Sequence, residues 1–370
     1  MSVNNAKVKE PSYRGDLALA AGYVVIAPGC RGWDNCSPDR KYYGKAPAAI
    51  VDLKSAIRYI RHNKRKIPGN NEHIISVGCS AGGALSALLG ASANNPLFAP
   101  YLEEIGAADA SDHVFAVACY SPITDLEYAD MAYEWMFGST PTESGLVNQR
   151  LSEQLQKGFS EYQLSLSLQG RNSFGTLTAE NYRDYLTTYY LIPSLTKFLN
   201  EREEAQREKY LQRNTWITWE NGSPSFEFDD YVKHVGRLKG LPAFDDFGKG
   251  QPEPLLFGNE TTDARHFTDF SLRQISQNRD AEVEEDVKQL VNMMNAFYFL
   301  KNGEGKIAKH WWLRNGARDN HTSQTVMINL VTMLENMKKS VNSWIFWDGD
   351  HCADHDPEGF IEWIKNITTD

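Results

Sequence analysis

The pattern of apolar and polar positions divides the chain into three stretches. In the first, residues 23–27 (Tyr-Val-Val-Ile-Ala) form a β-branched apolar run closed by Pro28-Gly29, which predicts a buried parallel strand. From Pro47 onward, Ile50, Leu53, Ile57 and Ile60 recur on one helical face, with proline in the first turn. Residues 74–78 (Ile-Ile-Ser-Val-Gly) predict a second strand, 84–89 a helix of small residues, and 114–119 a third strand ending at Tyr120-Ser121-Pro122. Strand, helix, strand, helix, strand is the order of an α/β chain winding a mainly parallel, doubly wound sheet. Its site belongs along the edge where the strands end.

The stretch 138–277 is polar and aromatic and contains no run that reads as a buried parallel strand. It has a charged helical piece at 199–212 and turn-rich parts at 221–224 and 248–254. A structureless connection of that length is improbable, so an inserted lid over the sheet edge is expected. The α/β pattern then returns. A helix is expected over 283–300, with Val287, Leu290, Val291, Met294 and Phe297 or Tyr298 on one side, followed by a strand at 309–313. Thr322 or Ser323 caps a helix running to Lys339; a strand at 343–347 and a helix at 358–365 close the chain. The expected organisation is a discontinuous core, 1–137 and 278–370, with a lid domain at 138–277.

Composition narrows the function. A formal net charge of −10 disfavours nucleic acid as a partner. No apolar stretch reaches the roughly 20 residues needed to cross a bilayer, so no membrane partner is expected. Residues 1–16 are polar and lack a signal-peptide core, which read literally makes the protein cytoplasmic. The five cysteines are an odd set consistent with a reducing compartment. The oligomeric state is not legible.

The chemistry begins at Gly78-Cys79-Ser80-Ala81-Gly82, a G-x-S-x-G run set between a predicted strand and a predicted helix. That is where a strained nucleophile turn must lie. Glycines on either side of Ser80 are expected to remove Cβ atoms that would clash in so tight a bend. The helix that follows aims its N-terminal dipole, and the Ala81 N–H, at a developing oxyanion. A serine needs a base held by an acid, in the chain order Ser, acid, His. The loops after the last two strands offer Asp319 and His351, with room between them for a loop, a helix and a strand. Asp348, Asp350, Asp354 and Asp356 are competing acids crowded against the histidine, and His355 is a competing base. His310 falls inside a strand as a core residue, and His321 belongs to the acid loop. The cluster of His351, Cys352, Asp354, His355 and Asp356 matches no zinc spacing, so no metal is expected. Cys79 precedes Ser80 and Cys352 follows His351. If the triad closes, the two cysteines are neighbours, either as a disulfide or as two buried thiols.

This Cys-Ser … Asp … His-Cys arrangement resembles the tannase and feruloyl esterase family, in which it is a hallmark. Residues 27–32, 78–92, 128–137 (beginning Tyr-Ala-Asp-Met-Ala-Tyr-Glu-Trp) and 310–319 are similar to bacterial tannases in particular. The resemblance implies an α/β-hydrolase fold and hydrolysis of phenolic-acid esters such as galloyl esters. The route is an acyl-enzyme and no cofactor is needed. It further implies that Lys239 and Glu253 grip the acyl hydroxyls. The family places an aspartate two positions after the triad acid, where this chain has His321. Family members also carry a segment ahead of residues 23–27 that supplies early strands and a second oxyanion donor. The expectation here is half an oxyanion hole, and secretion if an upstream signal exists. Other readings are a feruloyl or other aryl esterase, a serine peptidase of the same fold, and a non-catalytic phenolic-binding protein.

Overall fold

The computed structural model describes residues 13–303 and 305–369. Of the polar stretch 1–16, residues 1–12 therefore lie outside the described residues, and helix α1 (Tyr13–Ala20) follows them. Four parallel strands form one sheet in the order of the chain: β1 (Ile75–Cys79), β2 (Ala116–Tyr120), β3 (His310–Gly316) and β4 (Ser340–Phe346). β2 and β3 are buried along their whole length, as strands covered on both faces must be, while β1 and β4 are part-exposed edges.

The two-residue period sorts the side chains of the sheet. Val117, Cys119, Trp311 and Leu313 join one apolar cluster, and Ala116, Ala118, Tyr120 and Trp312 join another on the opposite face. The first face is covered by α3 (Ala81–Ala91) and by the helix Gln324–Asn336; the second is covered by the helix Pro357–Thr369. Close packing explains one small residue. A Cβ on Gly90 of α3 would lie 2.4 Å from Val117 and 2.7 Å from the Trp311 ring. Among the alternatives for the cap of Gln324–Asn336, Ser323 is the one used, its hydroxyl accepting from Thr325 N.

Three sequence expectations need correction. Residues 23–27 pair with no strand among the described residues, and Val24, Val25 and Ile26 are 48, 45 and 47% exposed. A β-branched run records a side-chain preference; it does not say whether a neighbouring strand is available to complete a ladder. The helix expected over 283–300 is two, Glu285–Met293 and Ala296–Asn302, because the Asn295 side chain turns to cap the second. The charged piece at 199–212 is likewise split, between Ile192–Asn200 and Glu204–Arg213.

Between Gly138 and Gln277 the structure holds helices and two short antiparallel ribbons, and no strand of the main sheet. The apolar cluster is continuous across this stretch: Phe159, Tyr182, Phe228 and Phe257 belong to the same cluster as Val117 and Leu313. Helix α2 (Ala48–His62) buries Lys54 completely, against Ser92 O at 2.7 Å and Asp112 at 3.0 Å. Arg58 adds a second bond to that carboxylate. A lysine on an apolar helical face reads as solvated until its partner, more than fifty residues away, is seen.

Candidate active site

The ends of all four strands meet along one edge. β1 ends at Cys79 and α3 begins at Ala81, which leaves Ser80 alone in the turn with φ 58° and ψ −122°. For a residue with a Cβ this is a strained backbone. It is held by Ser80 N donating to Tyr120 O at 2.9 Å, while Ser80 O accepts from Ala84 N at 2.9 Å. Ala81 opens the helix, so its N–H has no intrahelical acceptor.

The glycines around the turn divide differently than expected. A Cβ on Gly78 would lie 2.0 Å from Gly82 O, whereas one on Gly82 would meet nothing within 4 Å. Only Gly78 is required by space. Gly78→Ala is expected to cost about 3 kcal/mol or more, and Gly82→Ala to stabilise by about 0.5–1 kcal/mol through helix propensity. The urea midpoints of the two variants check this contrast.

β3 ends at Gly316, where a Cβ would lie 2.1 Å from Gly349 O and 2.3 Å from Asp350 O. Glycine thus lets the loops following β3 and β4 cross in contact. Across that crossing His351 Nδ1 lies 3.0 and 3.1 Å from the two carboxylate oxygens of Asp319, which is fully buried. An ionised carboxylate accepts only, so it fixes the proton on Nδ1 and leaves Nε2 to take one from a nucleophile.

The competing acids are engaged elsewhere. Asp348 accepts from His234 at 3.2 Å, and those bonds with His234 and Tyr210 hold its carboxyl below the usual range against the effect of burial. Asp354 pairs with Arg14 at 3.0 Å, Asp356 accepts from Gly359 N at 3.1 Å, and Asp350 is exposed. His310 is buried in β3, and His355 is exposed against the Phe346 ring.

Cys79 and Cys352 are joined as a disulfide, with their Cα atoms 5.8 Å apart. Two sulfurs spent on each other are not available to a metal. A ring nitrogen of His351 lies within 4.8 Å of both, which sets the imidazole beside the Ser80 turn. The Ser80 hydroxyl and His351 are not hydrogen-bonded here, a contact that in hydrolases often tightens only with substrate. A buried polar chain supports the histidine loop: Cys352 N donates to Ser121 Oγ (2.9 Å), Ser121 to Asn315 (2.6 Å), and Asn315 to Gln324 (2.8 Å). Sequence reading passed over these three residues. Asparagine and glutamine inside an apolar strand and at the start of a buried helix were the available signal.

Lys239 and Glu253 are both half-buried. Burial pulls the Lys239 ammonium down, with Glu253, Asp130 and Asp319 pulling it back up. It also pushes the Glu253 carboxyl up, with Lys239 opposing. Among the described residues Lys239 forms no ion pair within 4.0 Å. Its Nζ lies 3.6 Å over the Phe244 ring, and Glu253 Oε2 is buried without a partner. The His321 ring stacks on that of His351 at 4.1 Å and 16°, and the His321 backbone N–H donates to Asp319 at 3.0 Å. Burial holds the His321 imidazole below its ordinary value, helped by the charges of His351 and Lys239.

A parallel sheet whose strand ends present a strained serine turn and an Asp–His pair defines an α/β-hydrolase. Comparison with known proteins gives the family. Residues 4–163 match the BD-FAE family. A tannin acyl hydrolase from Lactobacillus plantarum is 33% identical, with a TM-score of 0.87 over 98% of this chain and 81% of that one. A Fusobacterium nucleatum tannase is 36% identical, with a TM-score of 0.84 over 96% and 80%. Similar tannin acyl hydrolase structures hold ethyl gallate and 3,4-dihydroxybenzoate. Esterase LipC of Mycobacterium tuberculosis is 35% identical over 130 residues, 34% of this chain and 29% of LipC, so the chain spans under a third of that curated relative. The chain belongs to the tannase family of carboxylic-ester hydrolases. No helix of the described residues is long and apolar enough to cross a membrane.

Proposed function

We propose that the chain hydrolyses esters of hydroxylated aromatic acids, galloyl esters foremost, through Ser80, His351 and Asp319. Ser80 Oγ attacks the ester carbonyl as His351 Nε2 takes its proton, and the oxyanion forms against the Ala81 N–H. Collapse expels the alcohol, which receives that proton, and leaves an acyl-Ser80. Water, activated by the same imidazole, then releases the acid and restores the serine. Residues 138–277 act as the lid that encloses the acyl group. One observation carries the choice of substrate. A half-buried ammonium and a half-buried carboxylate, Lys239 and Glu253, stand without an ion pair between them. Such groups are costly to bury unpaired and are relieved by a ligand that offers a hydroxyl to each. An ester lacking ring hydroxyls leaves them unsatisfied and is rejected.

His321, in place of the acidic third partner that the family resemblance implies, favours a second reading. An imidazole tolerates acyl groups with fewer free hydroxyls, so feruloyl esters are the competing substrates. A panel of methyl gallate, methyl ferulate, methyl benzoate and a chromogenic peptide amide separates these readings. Methyl gallate is expected to exceed methyl benzoate by at least about 100-fold in kcat/KM, and Lys239→Met to remove most of that preference. Equal rates on gallate and benzoate, or a preference untouched by Lys239→Met, would refute the assignment of the acyl pocket. Faster cleavage of the peptide amide would make the chain a peptidase.

A further inference from the structure

The helix α4 (Leu126–Phe137) carries the run that begins Tyr128-Ala129-Asp130-Met131-Ala132-Tyr133-Glu134-Trp135, to which neither the triad nor the acyl pocket assigns a task. Asp130, Tyr133, Glu134 and Phe137 recur three and four residues apart, so they share one face of the helix, and all four are buried. That face grips the strap of residues 236–245, on which Lys239 rides.

The grip has three points. Asp130 accepts from Phe244 N at 2.7 Å and from Asp245 N at 3.1 Å. Glu134 forms a fully buried ion pair with Arg237, whose guanidinium donates to Lys239 O and Gly240 O, each at 2.7 Å. Between them the Tyr133 hydroxyl accepts from Leu238 N at 3.2 Å and from Lys239 N at 3.0 Å, and donates to Asn320 O at 3.0 Å. Asn320 sits between Asp319 and His321, and its amide donates back to Gly236 O at 3.2 Å. One phenol, with its donor and both acceptor positions filled, therefore ties the backbone of Lys239 directly to the loop that carries Asp319.

We infer that Tyr133 is a specificity-positioning residue. Its hydroxyl fixes the spacing between Lys239 and the Asp319–His351 pair, and with it the distance from the ring hydroxyls of a bound acyl group to the carbonyl at Ser80. This rests on the acyl-pocket reading of Lys239 above. A lysine side chain is long and loosely held, so the precision of its ammonium depends on the anchoring of its main chain. A displacement of about 1 Å is enough to cost on the order of 100-fold when the misplaced group serves orientation.

The test is Tyr133→Phe in the full chain, which keeps the ring and its packing and deletes all three bonds. Methyl gallate and p-nitrophenyl acetate, whose acyl group has no ring, are compared. The kcat/KM for methyl gallate is expected to fall about 10- to 100-fold, and at least tenfold further than that for p-nitrophenyl acetate. In Lys239→Met/Tyr133→Phe the second change is expected to add less than about threefold on gallate, since both act through one ammonium. Equal losses on the two esters, or losses that multiply in the double variant, overturn the assignment. Where Tyr133→Phe does not yield folded protein, Asn320→Ala removes the other strut and reads the same ratio, which must fall. A collapse of gallate preference in Lys239→Met with none in Tyr133→Phe refutes Tyr133 alone. No change in Lys239→Met refutes the acyl pocket, and Tyr133's role with it.

Discussion

Ser80→Ala is expected to abolish ester hydrolysis, with a fall in kcat on the order of 10⁶, and to leave the fold in place. The magnitude is that of removing the nucleophile from a serine hydrolase whose remaining parts stay assembled. The local structure makes the substitution clean. Ser80 makes its backbone bonds, to Tyr120 O and from Ala84 N and Ile123 N, through main-chain atoms that alanine retains. The strain at φ 58° is borne by the backbone, and alanine at that angle is no worse placed than serine. What disappears is the hydroxyl alone, so the thermal midpoint is expected within about 2 °C of the parent. Two measurements read the result: turnover of p-nitrophenyl acetate, and the mass gained on exposure to a fluorophosphonate. The parent takes one adduct and the variant takes none. An adduct of equal yield in Ser80→Ala would place the nucleophile elsewhere. Calorimetric binding of phenolic acids by the parent with no turnover would make the protein a binder of phenolics rather than an esterase.

How far the sequence reaches is visible in particular residues. The turn at Ser80 is legible because its chemistry is local: a β-branched run, a glycine and a helix of small residues all lie within about a dozen positions of each other. The order Ser, acid, His follows from the winding of the sheet, which is why Asp319 and His351 can be named from loops after successive strands. The supporting parts are not local. Ser121, Asn315 and Gln324 form their chain only because β2 and β3 are neighbours and Gln324–Asn336 turns back over them. Lys54 reads as a surface charge because Asp112, its partner, lies in another loop. Gly316 and Gly82 look alike in sequence, yet one faces a crossing chain and the other open space. Residues 23–27 show the opposite failure, since a strong strand signal finds no ladder. Tyr133 lies between these extremes. The helical spacing of Asp130, Tyr133, Glu134 and Phe137 was in plain view, but a stripe of mixed polar and aromatic residues means nothing until the strap it holds is known.

Asp319→Asn is expected to carry the second-largest effect, a fall in kcat of about 10⁴, and to discriminate among the acids of this region. In the parent the two carboxylate oxygens face His351 Nδ1 at 3.0 and 3.1 Å, and one also accepts from His321 N at 3.0 Å. The asparagine is nearly the same shape and remains buried. Its carbonyl oxygen can serve only one side of the site, and the His321 N–H can receive an acceptor only from it. The amide NH₂ then faces His351 Nδ1, which must turn acceptor, so the proton moves to Nε2. The imidazole is then in the tautomer that cannot take a proton from Ser80. The same substitution at Asp348 alters bonds with His234 and Tyr210, neither of which is hydrogen-bonded to His351, and is expected to change kcat less than about fivefold. Rates of p-nitrophenyl acetate hydrolysis and of fluorophosphonate labelling should fall by the same factor in Asp319→Asn, because both reactions need the same base. A loss under tenfold there, or a loss in Asp348→Asn as large as in Asp319→Asn, would transfer the orienting role to another acid.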